Sequence, residues 1–147
     1  MGEDWFEEEK KAYEETIEGY DRGKYAHYAL NEYYGKLNYL NDLNENSLDV
    51  LGYGAAEGGE LEPLVRLCKR ICIVDPTEKL RRDSIDGKRI EYFCPKQDGL
   101  LPFEDDSFDL ITCYGVLMYI INAEVVLSEL VRVLKNGGGA ASSRTMY

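Results

Sequence analysis

The 147-residue chain has a single histidine, His27, and four cysteines, too little to suggest a metal centre. Cys68, Cys72, Cys94 and Cys113 lack CxxC spacing and sit in or beside apolar runs, so they read as reduced thiols buried in a core. Zinc is disfavoured further because the histidine lies far from all of them in sequence. No run of about 18 or more apolar residues occurs, and no basic segment followed by an apolar one opens the chain. A membrane span and a signal peptide are therefore not expected, and the reading is a cytoplasmic protein. Basic residues are also scarce: 17 Lys and Arg face 28 Asp and Glu, for a net charge of -11. That balance repels polyanions and argues against nucleic acid or an anionic membrane as a partner. Only KLRR at 79–82 and Lys88-Arg89 offer a local basic patch. There is no internal repeat and no low-complexity linker. What remains is a chain 44% hydrophobic and 31% charged, enough to bury one core in one compact unit.

Two regions differ in character. Residues 1–46 are acidic and rich in tyrosine. Trp5, Phe6, Tyr13, Ile17 and Tyr20 fit one helical stripe, and Tyr25, Tyr28, Ala29, Tyr33, Leu37 and Leu40 fit another. The spacing predicts two helices with a break between Gly19 and Gly23. Their tyrosines either cover a core with hydroxyls in water or form a lid over a ligand.

From residue 47 to 147, short apolar runs alternate with amphipathic segments. Leu48, Val50 and Leu51 make the first strand. "ELEPLVRLCK" predicts a helix with Leu61, Leu64, Val65 and Cys68 on one face. Strands follow at residues 71–75, in "RIEYFCP" from Arg89 to the stop at Pro95, and at about residues 108–114. "AEVVLSELVRVLK" predicts a helix that turns Val125, Val126, Leu130, Val133 and Leu134 inward. Gly137, Gly138 and Gly139 would end it, and "AASSRTMY" would begin a fifth strand. The pattern predicts an α/β, Rossmann-like, doubly wound and mainly parallel sheet of about five strands with helices on both faces. Such a sheet binds ligands in the crevice at the carboxyl ends of its strands.

Two features fall on those ends. Gly52 and Gly54 follow the first strand, where glycine lets backbone N–H groups and the next segment approach a polar group closely. Asp75 ends the second strand roughly twenty residues on, where a carboxylate can accept both hydroxyls of a ribose. Each has a plainer reading: a turn that needs glycine for its shape, and an N-cap for a helix after Pro76. Together they point to an adenine nucleoside.

"LDVLGYGAAEGG", "ICIVDP", "DGLLPFEDDSFDLITCYGVLMYI" and "LSELVRVLKNGGG" resemble, in order and spacing, the signature segments of class I S-adenosylmethionine-dependent methyltransferases of the small-molecule type. The resemblance covers residues 47–147, with residues 1–46 corresponding to the variable N-terminal cap. It implies that Gly52, Tyr53 and Gly54 turn against the methionine moiety and that Asp75 holds the ribose, with Pro76 beside the adenine. The loop of Gln97, Asp98, Gly99 and Leu100 would hold the adenine, Asp98 accepting from its amino group. Cys113, Tyr114 and Gly115 would face the methyl donor. Tyr114 and Tyr119 are candidates for substrate contact, although core packing suits Tyr119 better. No catalytic acid or base is implied, because methyl transfer at a sulfonium can proceed by positioning and desolvation.

The chain departs from the family pattern at Val50, where an acidic residue is usual, with Asp49 one place off. Ala56 replaces the third glycine unless Gly58 takes its part, and Asn136 replaces a proline. Family members continue beyond the fifth strand with a helix and an antiparallel pair, whereas this chain stops at Tyr147. The final strands of the fold would then be missing, and the fifth strand would be an open edge. A truncated chain or a partner follows, a homodimer being the testable form. The expected activity is methyl transfer from S-adenosylmethionine, giving S-adenosylhomocysteine, to an unidentified small-molecule acceptor. The alternative is an inactive methyltransferase-like scaffold that needs a partner. A nicotinamide-dependent oxidoreductase is more distant, since "LPFEDDSFD" does not suit it.

Overall fold

The computed structural model describes Lys11, residues 42–113, Ile120 and residues 122–142, with side chains as far as Asn136. The expected N-terminal helices lie outside this region, apart from Lys11 and residues 42–46.

Among the described residues six strands form one sheet: β1 (Leu48–Tyr53), β2 (Cys68–Val74), β3 (Ser84–Ile85), β4 (Lys88–Phe93), β5 (Phe108–Cys113) and β6 (Leu134–Ser142), in the order β3-β4-β2-β1-β5-β6. All neighbours are parallel except β3 and β4. The central strand β1 is apolar on both sides because both sides are covered. Leu48 and Val50 join a cluster with Leu61, Leu64, Ile71 and Ile73, under a 3-10 helix, Gly59–Leu67. Leu51 and Tyr53 join the opposite cluster with Phe108, Ile111, Val126 and Leu130, under α1 (Ala123–Val133). The expected Rossmann-like sheet, with a helix on each face, is the observed architecture.

Several local expectations are corrected. "ELEPLVRLCK" folds as a 3-10 helix rather than an α-helix, and Pro63 inside it supplies the reason. The proline ring crowds the carbonyl four residues back, which an α-helical turn would bring against it. Leu61, Leu64 and Val65 are buried as expected, but Cys68 already belongs to β2. The helix end is capped by Lys88, whose Nζ donates to the carbonyls of Val65 at 2.6 Å and Cys68 at 2.8 Å.

No helix is found between β2 and β4. The crossover instead closes with a hairpin in which Asp86 (φ 49°) and Gly87 (φ 81°) link Ile85 to its partner Lys88. Two consecutive left-handed residues of the Asp-Gly type make the tight turn that matches strand twist. Ile85 is buried and reaches over Gly58, where an added Cβ would lie 2.9 Å from its Cδ1.

The three glycines do not end α1. The helix stops at Val133, Leu134 turns extended (φ -81°, ψ 129°), and the chain enters β6 directly. Pairing with β5 then jumps from Phe108↔Leu134 to Leu110↔Gly139, so Gly137 and Gly138 lie in the irregular stretch, a common place for glycine in a strand. On α1, Val126, Leu130 and Val133 face inward, whereas Val125 is 37% exposed and Leu134 only partly buried. Cys68, Cys72 and Cys113 are buried, while Cys94, just past β4, is exposed. Among the described residues no helix is long and apolar enough to cross a membrane.

Candidate functional site

Register brings the strand ends together. Tyr53 on β1 pairs with Val74 on β2 and with Cys113 on β5, and Val74 pairs with Phe93 on β4. Gly54, Asp75 and Cys94 therefore leave the sheet side by side at its carboxyl edge.

The turn after β1 is held by its own backbone. Gly54 takes a left-handed φ of 71°, and its N–H donates to the Val74 carbonyl at 2.7 Å. Gly52 has no room for a side chain, since a Cβ there would stand 2.7 Å from the Cβ of Ala55 and 3.2 Å from Leu61 Cδ1. Ala56, in place of the family's third glycine, also takes a left-handed φ, of 51°, and Gly58 one of 81°. For alanine that conformation costs about 1–2 kcal/mol, and two hydrogen bonds hold it. The Ala56 N–H donates to Asp75 Oδ2 at 2.9 Å, and the Tyr92 hydroxyl donates to the Ala56 carbonyl at 2.7 Å.

Asp75 is completely buried. Its other oxygen accepts the Thr77 N–H at 2.9 Å, so the carboxylate brackets the turns after β1 and β2. No α-helix follows Pro76 among the described residues, so Asp75 caps a turn instead of a helix. Beneath the glycine turn lies Glu60, another buried carboxyl. Loss of water pushes it well above the ordinary range; the neighbouring Thr112 side chain opposes this, and the nearby Asp75 charge adds to it. Burial also pushes the Cys113 thiol up.

The loop of residues 97–100 is anchored separately, on the α1 side. Asp98 Oδ1 accepts the Leu100 N–H at 2.9 Å, a side-chain turn that leaves Asp98 and Leu100 exposed. Gly99 (φ 80°) is buried against Val125 and Val126, and Asn122 Nδ2 donates to the Gln97 carbonyl at 2.6 Å. The "LPF" and "ELVRVLK" segments are tied to each other. Glu129 accepts the Leu101 N–H at 2.8 Å, while Arg132 pairs with Glu129 at 2.5 Å and Asp105 at 2.8 Å. The Arg132 bond holds the Glu129 carboxyl below its usual range. Lys135 reaches Asp109 at 3.3 Å and Asp49 at 3.4 Å. Asp49 thus serves an ion cluster and does not reach the glycine turn, while Val50 is core.

Tyr114, Gly115 and Tyr119 lie outside the described residues. Sequence reasoning passed over Glu60, Thr77, Tyr92 and Thr112. Only Tyr92 and Thr112 left a trace, as polar residues inside apolar strands. Among the described residues no cluster of His, Cys, Asp and Glu could hold a metal.

A model of the methyltransferase domain matches residues 48–141, more than half of the chain. No curated protein matches. Solved structures do. A complex from Haloferax volcanii, between the Trm112 methyltransferase activator and a candidate methyltransferase, aligns with TM-score 0.58 at 21% identity, over 84% of this chain and 61% of that one. A candidate methyltransferase from Bacillus halodurans aligns with TM-score 0.54 at 25% identity, over 69% and 47%. The trans-methyltransferase CalH, in complex with SAH, aligns with TM-score 0.53 at 19% identity, over 71% and 34%. This chain thus spans less than two-thirds of each of those proteins. The strand order, the glycine turn beside Asp75 and the match over residues 48–141 together place the chain in the class I S-adenosylmethionine-dependent methyltransferase domain family.

Proposed function

We infer that this chain binds S-adenosylmethionine at the carboxyl edge of its sheet and supports methyl transfer to a small-molecule acceptor. The observation that carries the reading is the left-handed turn at Gly54 and Ala56, bonded to the carboxylate of Asp75. The residues fit the cofactor in kind. Gly52, Tyr53 and Gly54 would lie along the methionine moiety, Asp75 would take the ribose with Pro76 beside the adenine, and Asp98, Gly99 and Leu100 would take the base. Cys113, Tyr114 and Gly115 would face the methyl.

Asp75 sets a condition on binding. Its oxygens accept the amides of Ala56 and Thr77, and it has no exposed surface. The ribose would have to lift one of these turns and take the place of an amide, so the bound and free proteins differ locally. When bound, the cofactor supplies a methyl group already activated on a sulfonium. The chain's own work is to position the acceptor in line with that methyl and to exclude water. Proton removal from the acceptor is not assigned to a residue.

The test is calorimetric titration with S-adenosylmethionine and, in parallel, S-adenosylhomocysteine. Micromolar binding of both is expected, and absence of binding at millimolar ligand would refute the reading. The latter result would favour a scaffold without turnover, for which the buried Asp75 is the relevant observation.

A partner is part of the same proposal. The Haloferax protein was solved with an activator, and β6 is the outer strand here among the described residues. A second copy joined along that edge predicts a dimer in light scattering, and a monomer at micromolar concentration counts against it. A cytoplasmic location belongs with this reading.

A further inference from the structure

Beside the β3–β4 hairpin a cleft of about 490 Å³ is lined by Arg81, Arg82, Arg89, Ser84, Tyr92 and Asp83, among others. In a chain of net charge -11, three arginines lining one cleft are unexpected. The methyl-donor reading uses none of them.

The three are held differently. Arg81 lies over the Tyr92 ring, 5.2 Å from its centroid. Its Nε donates to the Thr77 carbonyl at 3.3 Å, and a terminal nitrogen lies 3.2 Å from Cys94 Sγ. These contacts fix the plane of the guanidinium in advance. Arg82 gives one terminal nitrogen to Glu62 at 3.0 Å, while its Nε is buried without a hydrogen-bond partner. An orphaned donor of that kind costs about 1–3 kcal/mol, so an acceptor that reached it would be favoured. Arg89, exposed on β4 opposite Ser84, makes no ion pair among the described residues.

We propose that this cleft binds a small phosphorylated molecule, its phosphate seated among Arg81, Arg82 and Arg89 and its organic part in the remaining space. Forked N–H donors match phosphate oxygens. A volume of about 490 Å³ suits a ligand of sugar-phosphate size. The carboxylates of Glu62 and Asp83 leave the site only modestly positive, and the rest of the chain is acidic. An isolated phosphomonoester therefore suits it better than an extended polyanion.

The experiment is calorimetric titration of the full chain with ribose 5-phosphate, with ribose as the control. Saturable binding of the phosphate, and none of ribose, is expected. Arg89→Ala should weaken binding by about tenfold while keeping the parent's unfolding midpoint, since the side chain is exposed. Asp83→Asn should tighten it, by up to about fivefold. Equal binding of ribose, no saturation at millimolar ligand, or unchanged affinity in either variant would overturn the proposal.

Discussion

Asp75 carries the most discriminating prediction. Asp75→Ala removes the acceptor of two buried amides, those of Ala56 and Thr77, each 2.9 Å from a carboxylate oxygen. A hydrogen bond to a charged group contributes about 1.5–3 kcal/mol, so losing both should cost about 3–6 kcal/mol. A side chain that only capped a turn would cost about 1 kcal/mol. The measurement is urea unfolding of the ligand-free chain at neutral pH, comparing midpoints at constant slope. A domain of ordinary stability has only about 5–15 kcal/mol to lose, so Asp75→Ala could abolish folding outright. Asp75→Asn guards against that outcome. It keeps one acceptor oxygen and turns an NH2 group toward the other amide, so about half the loss is expected. A cost of 1 kcal/mol or less for the alanine variant would refute the idea that this carboxylate ties the two turns together.

The buried Glu60 predicts a pH dependence. Its carboxyl is held well above the ordinary value of 4.5, chiefly by burial, so in that window the folded chain keeps a proton that the unfolded chain releases. Stability should therefore fall as pH rises from the unfolded to the folded pKa, and Glu60→Gln should flatten that fall while changing little at lower pH. A parallel pair of stability curves would contradict the assignment. Gly52→Ala forces a Cβ to within 2.7 Å of Ala55 and should cost about 1–3 kcal/mol in the same urea assay; a neutral substitution would show that the turn is looser than it looks. Cysteine labelling tests the core. Burial holds the Cys68 and Cys72 thiols up at about 12, and Cys113 is raised too, whereas Cys94 is exposed. A neutral thiol reagent should modify Cys94 quickly and the others only on unfolding, and rapid reaction of a second thiol would be inconsistent with this packing.

Much of the fold was legible because a parallel sheet buried on both faces writes itself as short apolar runs, as at Leu48–Tyr53 and Phe108–Cys113. The strand-ending positions of Gly54 and Asp75 followed from those runs. The Asp-Gly pair at Asp86 and Gly87 was present in the sequence, but the two-residue strand Ser84–Ile85 that it turns into Lys88 is too short a run to read as a strand. Pro63 was likewise present in the sequence, but apolar spacing outweighed it, although proline decides the local hydrogen bonding.

The sequence by itself determined the strand order's raw material, the family and the placing of a glycine turn and an acid at adjacent strand ends, because these depend on residue type and short spacing. Tertiary structure alone decided that Ala56 would adopt the conformation a glycine takes freely, with Asp75 beneath its amide and the Tyr92 hydroxyl on its carbonyl. It alone gathered Arg81, Arg82 and Arg89 around one cleft. Those arrangements join residues far apart along the chain, and their geometry is set by how strands pair and which groups lose water, which no local pattern records.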